Sequence, residues 1–322
     1  MTQQQRVAVV TGASSGIGRA TAIAFAKKGF AVVLAARGRR GLADAADACR
    51  AAGGRAEVVV TDVTDAGEVR ALAERAIAAF GHVDVWASIV GVGAVGRFDE
   101  VPIEAHARVI QANLVGHMHG AHAILPHFRE RRRGLLVNMG SIGGWAAGPY
   151  AASYAASKFG VRGFGESLRA ELASSLPHVH VCDVFPTFVD TPGMAHGGNW
   201  IGKRMKPPPP LVDPRTVADA VVALADAPKP TVFVGSVALP ARLAHALAPE
   251  LVNRTAARLM EAALARAKAA PRTEGNLFDP SVPAAIDGGY RATPGHLAAT
   301  AGLAALGLLA AWWLKRGPRA GA

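Results

Sequence analysis

Seven short runs rich in β-branched residues, at 7–10, 31–34, 58–60, 83–86, 135–138, 179–184 and 231–234, are separated by helical stretches at 17–28, 68–80, 104–128, 153–174 and 214–225. Near-continuous apolar strands need cover on both faces, and parallel neighbours need a crossover rather than a tight hairpin. The alternation therefore predicts right-handed βαβ units forming a parallel sheet with helices on both sides, over roughly the first 240 of 322 residues. A hydrophobic fraction of 51% against 18% charged residues excludes wholesale disorder. The two cysteines, Cys49 and Cys182, cannot make a disulfide framework. The first apolar run stops at Gly12, too early for a secretory leader, so the N-terminal part is expected in a reducing cytosol.

Beyond Gly235 the pattern changes. Residues 241–270 read as a basic, amphipathic helical extension broken at Pro249, and residues 271–295 as a Pro/Gly-rich linker. Residues 296–314 carry no formal charge and end in Trp312, Trp313 and Leu314, before a basic tail at 315–322. At about 1.5 Å per residue this run spans roughly 28 Å, enough for a membrane helix. A helix packed at a membrane surface or a dimer interface is the competing expectation, because alanine dominates the segment. Spanning would also set Lys315, Arg316 and Arg319 against the positive-inside tendency.

The net charge of +11 admits nucleic acid, an anionic membrane or an acidic ligand as partner. Residues 241–322 hold ten Lys/Arg against five Asp/Glu. Arginine-over-lysine usage in an alanine-rich chain also reflects base composition. No aromatic interleaving or reader motif accompanies the arginines, so nucleic acid is not expected. His117, His119 and His122 lack a completing carboxylate and are expected at a surface or a subunit interface; His178 and His180 alternate along a strand without partners, and no metal site is expected.

The first strand runs into Gly12-Ala13-Ser14-Ser15-Gly16-Ile17-Gly18 and then directly into a helix. Glycines there permit a tight turn and bring a diphosphate close to the N–H groups of a helix N-terminus. The second strand ends in Ala36-Arg37, with Arg39 and Arg40 following. An acid at that place would accept the ribose hydroxyls, whereas a guanidinium pairs with a 2′-phosphate, which favours NADP(H). A solvated basic turn is the plainer alternative. Further on, Tyr154-Ala155-Ala156-Ser157-Lys158 sets a phenol and an ammonium four residues apart on one helix face. Ser141 precedes the tyrosine by 13 residues, after a strand, and Asn113 lies in the preceding helix.

This combination resembles the short-chain dehydrogenase/reductase family over about residues 5–240, the classical type with a C-terminal extension. The resemblance implies a Rossmann doubly wound sheet and a nicotinamide dinucleotide. It implies that Tyr154 is the general acid in carbonyl reduction and that Ser141 polarises the carbonyl oxygen. Lys158 would bind the nicotinamide ribose and tune Tyr154, and Asn113 would support a proton relay. Cofactor contacts are expected from Gly12, Ser14, Ser15, Gly16, Ile17, Gly18, Arg37, Asp62, Val63, Gly91, Tyr154, Lys158, Pro186, Val189 and Thr191, with Asp62 on the adenine or simply capping a helix. Ser88-Ile89-Val90-Gly91 replaces the family's Asn-Asn-Ala-Gly, and Thr187 replaces a glycine after Pro186. Met194, Trp200, Ile201, Met205 and the prolines at 207–210 fall where the family covers its substrate, and their apolarity points to a lipophilic ketone or aldehyde. Trp145 and residues 92–95 are expected to line or underlie the same pocket. The expected protein is a homo-oligomeric (dimeric or tetrameric) NADPH-dependent carbonyl reductase or alcohol dehydrogenase, membrane-associated through its C-terminus with the catalytic domain in the cytoplasm. A non-catalytic dinucleotide-sensing or scaffold protein at a membrane is the alternative.

Overall fold

The computed structural model describes residues 4–280 and 284–291. The first half runs β1 (Val7–Thr11), α1 (Gly16–Lys27), β2 (Ala31–Ala36), α2 (Arg39–Ala51), β3 (Ala56–Val60), α3 (Ala66–Phe80) and β4 (Val85–Ser88). After a two-residue β5 (Ala94–Val95) come α4 (Ile103–Ile110), a π-helical turn (Gln111–Val115), α5 (Gly116–Arg131) and β6 (Gly134–Met139). There follow α6 (Ala152–Ser175), β7 (Val179–Pro186), the short α7 (Gly193–His196), β8 (Gly198–Asn199), α8 (Pro214–Ala223) and β9 (Thr231–Val234). Two helices end the described regular structure, α9 (Ala238–Leu247) and α10 (Pro249–Arg266), with Pro249 opening the second.

Seven strands form one parallel sheet in the order β3-β2-β1-β4-β6-β7-β9. Strand side chains alternate between faces, and β1 shows it directly. Ala8 and Val10 pack with α1, α2 and α8 through Phe25, Leu42 and Val217. Val7 and Val9 pack with α3, α5 and α6 through Leu72, Phe128 and Leu172. Strand order reverses between β1 and β4, so their carboxyl ends open a crevice where a doubly wound sheet binds ligands. A third apolar cluster beside that crevice joins Val92, Val101, Val109 and Trp200 to Leu277.

Two expectations change. The helical stretch 104–128 is broken at Gln111–Val115 by π-type hydrogen bonding, centred on Asn113. Residues 271–280 and 284–291, expected as a linker, pack onto the sheet domain instead. Asn199 and Thr273 exchange backbone hydrogen bonds, and Leu277 is buried. The reason lies in the backbone, whose polar groups find partners in the domain despite a turn-rich composition. The expected membrane helix at 296–314 and the tail at 315–322 lie outside the described residues. Among the described residues, no helix is long and apolar enough to cross a membrane.

Candidate active site

The glycine loop is shaped for close approach. Gly12 and Gly16 adopt φ of 71° and 53°, in the left-handed region. A Cβ on Gly18 would overlap the Gly12 carbonyl, so only glycine lets α1 start against the loop. Ser15 caps α1 through its extended backbone and makes no side-chain cap bond. Ser14, Ile17, Arg37, Val63, Gly91, Pro186, Val189 and Thr191 line a continuous cavity of about 850 Å³ with the loop, Ser141, Tyr154 and Lys158.

Four elements assemble the catalytic candidates. Ser141 follows β6 and accepts a hydrogen bond from Gly143 N at 3.1 Å. The Tyr154 hydroxyl bonds to the Ser141 side chain; burial raises the phenol above its usual pKa, and the serine bond works against that rise. One helical turn later, the Lys158 ammonium donates to Met139 O at 2.9 Å and lies 5.8 Å from the Tyr154 ring centroid. Burial lowers the lysine to about 8, so its proton is held far more loosely than on an exposed lysine. Asn113 is fully buried. Its Oδ1 accepts from Val92 N at 2.8 Å, and its Nδ2 donates to Val92 O at 2.9 Å and to Ser157 Oγ at 3.1 Å.

Ser157, which the sequence reading passed over inside the Tyr-x3-Lys motif, closes this network by donating to Tyr154 O at 2.7 Å. Asn113 and Ser157 thereby tie the loop after β4 to the helix bearing the phenol. Behind them, buried Asp183 on β7 accepts from Asn138 on β6 at 3.0 Å and from Arg169 on α6 at 2.7 Å. Burial raises the Asp183 pKa in spite of the arginine. A Cβ on Gly165 would overlap the same carboxylate, so α6 seats tightly on β7. Nothing local marks these residues in sequence, because their partners lie on three different elements.

At the adenosine end the expected residues are present but engaged. Asp62 accepts from Arg108 Nη2 at 2.6 Å and from Thr64 N and Oγ1, and these bonds outweigh burial to hold its pKa low. Arg37 donates to the carbonyl oxygens of Asn276, Leu277 and Phe278 at 2.5, 3.0 and 2.7 Å, rather than facing open solvent. Ser88 accepts from Trp86 Nε1, and Ile89, packed in the core, donates its N–H to Thr11 Oγ1 at 3.1 Å. The two missing amides are thus replaced by a hydroxyl and a backbone bond across β1 and β4.

At the substrate end, residues 92–95, Met194, Met205 and Pro207 line the cavity, joined by Met260 from α10. Trp200 turns into the third apolar cluster instead. Trp145 packs edge-on to Phe185 and is flanked by the guanidinium groups of Arg162 and Arg242, which lie 3.5 and 4.1 Å from its ring centroid. His117, expected at a surface, is buried and donates Nε2–H to Val90 O at 3.2 Å. Among the described residues, no group of three or more His, Cys, Asp or Glu is placed to hold a metal ion.

A nicotinamide dinucleotide matches the nicotinamide half of this cleft. Gly91 leaves the approach to Lys158 open, since even a Cβ there would lie 3.7 Å from Nζ, and the glycine cradle provides for a diphosphate. Residues 6–201 match the family model for short chain dehydrogenases. An uncharacterized oxidoreductase of Bacillus subtilis, YxnA, is 33% identical over 279 residues, covering 86% of this chain and 78% of that protein. Among solved structures, a short-chain dehydrogenase/reductase from Burkholderia phymatum in complex with NAD is 29% identical with a TM-score of 0.68, covering 79% of this chain and 97% of that one. The alcohol dehydrogenase of the archaeon Thermococcus sibiricus, complexed with 5-hydroxy-NADP, is 28% identical with a TM-score of 0.63, covering 73% and 97%. With the glycine cradle, the parallel sheet and the Ser141–Tyr154–Lys158 cluster all in place, the chain belongs to the short-chain dehydrogenase/reductase family of oxidoreductases.

Proposed function

We propose that the protein is an NADP(H)-dependent carbonyl reductase or alcohol dehydrogenase acting on lipophilic ketones, aldehydes or the corresponding alcohols. The observation that carries this reading is a single cavity with Ser141, Tyr154 and Lys158 on its wall and Met194, Met205, Pro207 and Met260 around the substrate end. The bound cofactor supplies or accepts the hydride. For reduction, Ser141 Oγ hydrogen-bonds the carbonyl oxygen, and Tyr154 transfers its phenolic proton to that oxygen as charge develops. Lys158 places a loosely held proton beside the phenol, and Asn113 and Ser157 hold its helix in register. In oxidation the same hydroxyl takes the proton back.

The relatives' cofactors are NAD in one case and an NADP derivative in the other, so the preference for NADP(H) rests on this chain's own β2 end. Ala36 there offers no carboxylate, while Arg37, Arg39 and Arg40 line the cavity. Attachment to an anionic membrane surface is part of the same proposal. It is supported by Leu243 and Leu247, exposed on one face of α9, by Leu251 and Leu259 on α10, and by Arg254 and Arg258 beside them. Homo-oligomeric assembly is proposed likewise, with exposed Phe98 and exposed Ile103 at the start of α4 as its support.

A screen of NADPH oxidation across ketones and aldehydes of graded chain length tests the reading. Specificity is expected to rise by about fourfold for each methylene added, the value of burying one CH₂. A preference for short, polar carbonyls, or no turnover with any carbonyl, overturns it.

A further inference from the structure

The C-terminal segment does more than pack against the domain; it sits on the groups that the glycine motif and β2 offer to a dinucleotide. Ala285 O accepts the first-turn N–H of α1 from Gly16 at 2.8 Å. A helix N-terminus with free amides is an anion site, and a carbonyl oxygen is the nearest neutral stand-in for a phosphate oxygen. Arg37, the guanidinium placed for a 2′-phosphate, is bound instead by three successive carbonyl oxygens at 276–278. Between these points Ala284 fills the space over the loop. A Cβ on Gly41 would lie 2.7 Å from the Ala284 Cβ, with Ser14 also at hand, and Arg19 donates to Ala284 O.

The segment is also pinned from outside the cleft. Asp287 pairs with Arg215 through two bonds of 2.8 Å. Arg291 reaches Asp190, Asp213 and Asp287. Buried Asp190 accepts from the N–H groups of Tyr290 and Arg291, and its carbonyl accepts from Gly288. The Arg215–Asp287 pair is exposed and individually weak, so this pin can be released without dismantling the sheet.

We propose that residues 276–280 and 284–287 are an internal competitor of the dinucleotide: their carbonyl oxygens occupy both anion positions of the adenosine half, and cofactor binding displaces them. The inference rests on the dinucleotide reading of the cleft and adds that its two anion positions are closed to the cofactor until the segment leaves. Arg37 then changes partner, from peptide oxygens to phosphate. Binding to the open fraction alone lowers apparent affinity by that fraction, equally for NADH and NADPH.

The test uses the full chain and its Asp287→Ala/Arg291→Ala variant, with NADPH and NADH binding followed by reduced-nicotinamide fluorescence. Releasing the pins is expected to tighten both cofactors by the same factor, about tenfold if one molecule in ten is open before release. In the unaltered chain, hydrogen exchange of peptides covering 284–291 is expected to speed up when NADPH is added, because the amides held by Asp190 are released. Unchanged affinities overturn the proposal, as does slower exchange with NADPH, which is the behaviour of a lid closing over bound cofactor. Either result leaves the reductase reading standing. Failure of both proteins to bind either cofactor overturns that reading together with this one.

Discussion

His117 lies one helical turn beyond Asn113, buried beneath Val90, and burial together with the nearby Lys158 charge lowers its pKa to about 3. The unfolded chain protonates a histidine near 6.5, whereas the folded chain refuses that proton until about pH 3. Between those limits the unfolded state binds more protons, so stability falls as the solution is acidified. His117→Gln keeps a donor for Val90 O and removes the titration. Measured by urea unfolding, the variant should lose about 2 kcal/mol less stability than the parent between pH 6.5 and 4.5, the interval over which the unfolded imidazole goes from half to fully protonated. An unchanged slope would show that another group carries the acid sensitivity. Burial shifts neighbouring Lys158 as well, and its ammonium lies 5.8 Å from the Tyr154 ring centroid while donating to Met139 O. At this scale sequence spacing was a good guide wherever partners lie on one helix, as Tyr154 and Lys158 do. It was a poor guide for Ser157, Asp183 and His117, whose roles depend on what packs above them.

Among the elements, the strands were legible because a sheet covered on both faces leaves a continuous β-branched run, and such runs mark β1, β2, β6 and β7 closely. The π-turn at Gln111–Val115 left no trace, since its residues are ordinary helix formers and only tertiary contacts select the wider turn. The segment at 271–291 was equally hidden. Much of its attachment uses backbone carbonyls and amides, which every sequence possesses, and its ion pairs at Asp287 and Arg291 join residues distant in sequence, so its turn-rich composition signalled only a connector. In contrast, α9 and α10 were readable as helices, and their exposed leucines give them a testable role. Leu247, at 86% exposure, lies one turn after exposed Leu243 on α9. Leu243→Glu with Leu247→Glu should abolish co-sedimentation of the full chain with phosphatidylglycerol vesicles while leaving turnover of a water-soluble carbonyl unchanged. Undiminished sedimentation of that variant would assign membrane contact to another part of the chain, and no sedimentation of the parent would remove it altogether.

Across the whole molecule, one architecture brings both halves of the reaction together. The reversal of strand order beside β1 opens the crevice, the glycine loop and β2 prepare one end for a dinucleotide, and β6 and α6 deliver Ser141, Tyr154 and Lys158 to the other. The buried Asn138–Asp183–Arg169 network ties β6, β7 and α6 together, the elements that carry the serine and the phenol. The proposed chemistry has Tyr154 as the group that moves the proton. Single-turnover oxidation of bound NADPH by a carbonyl substrate, compared between the parent and Tyr154→Phe with binding of NADPH followed alongside, tests it most directly. The variant should bind NADPH as the parent does and react about 10²–10⁴-fold more slowly, the range expected when a positioned general acid is removed. Hydride transfer at the parental rate in the phenylalanine variant would contradict it.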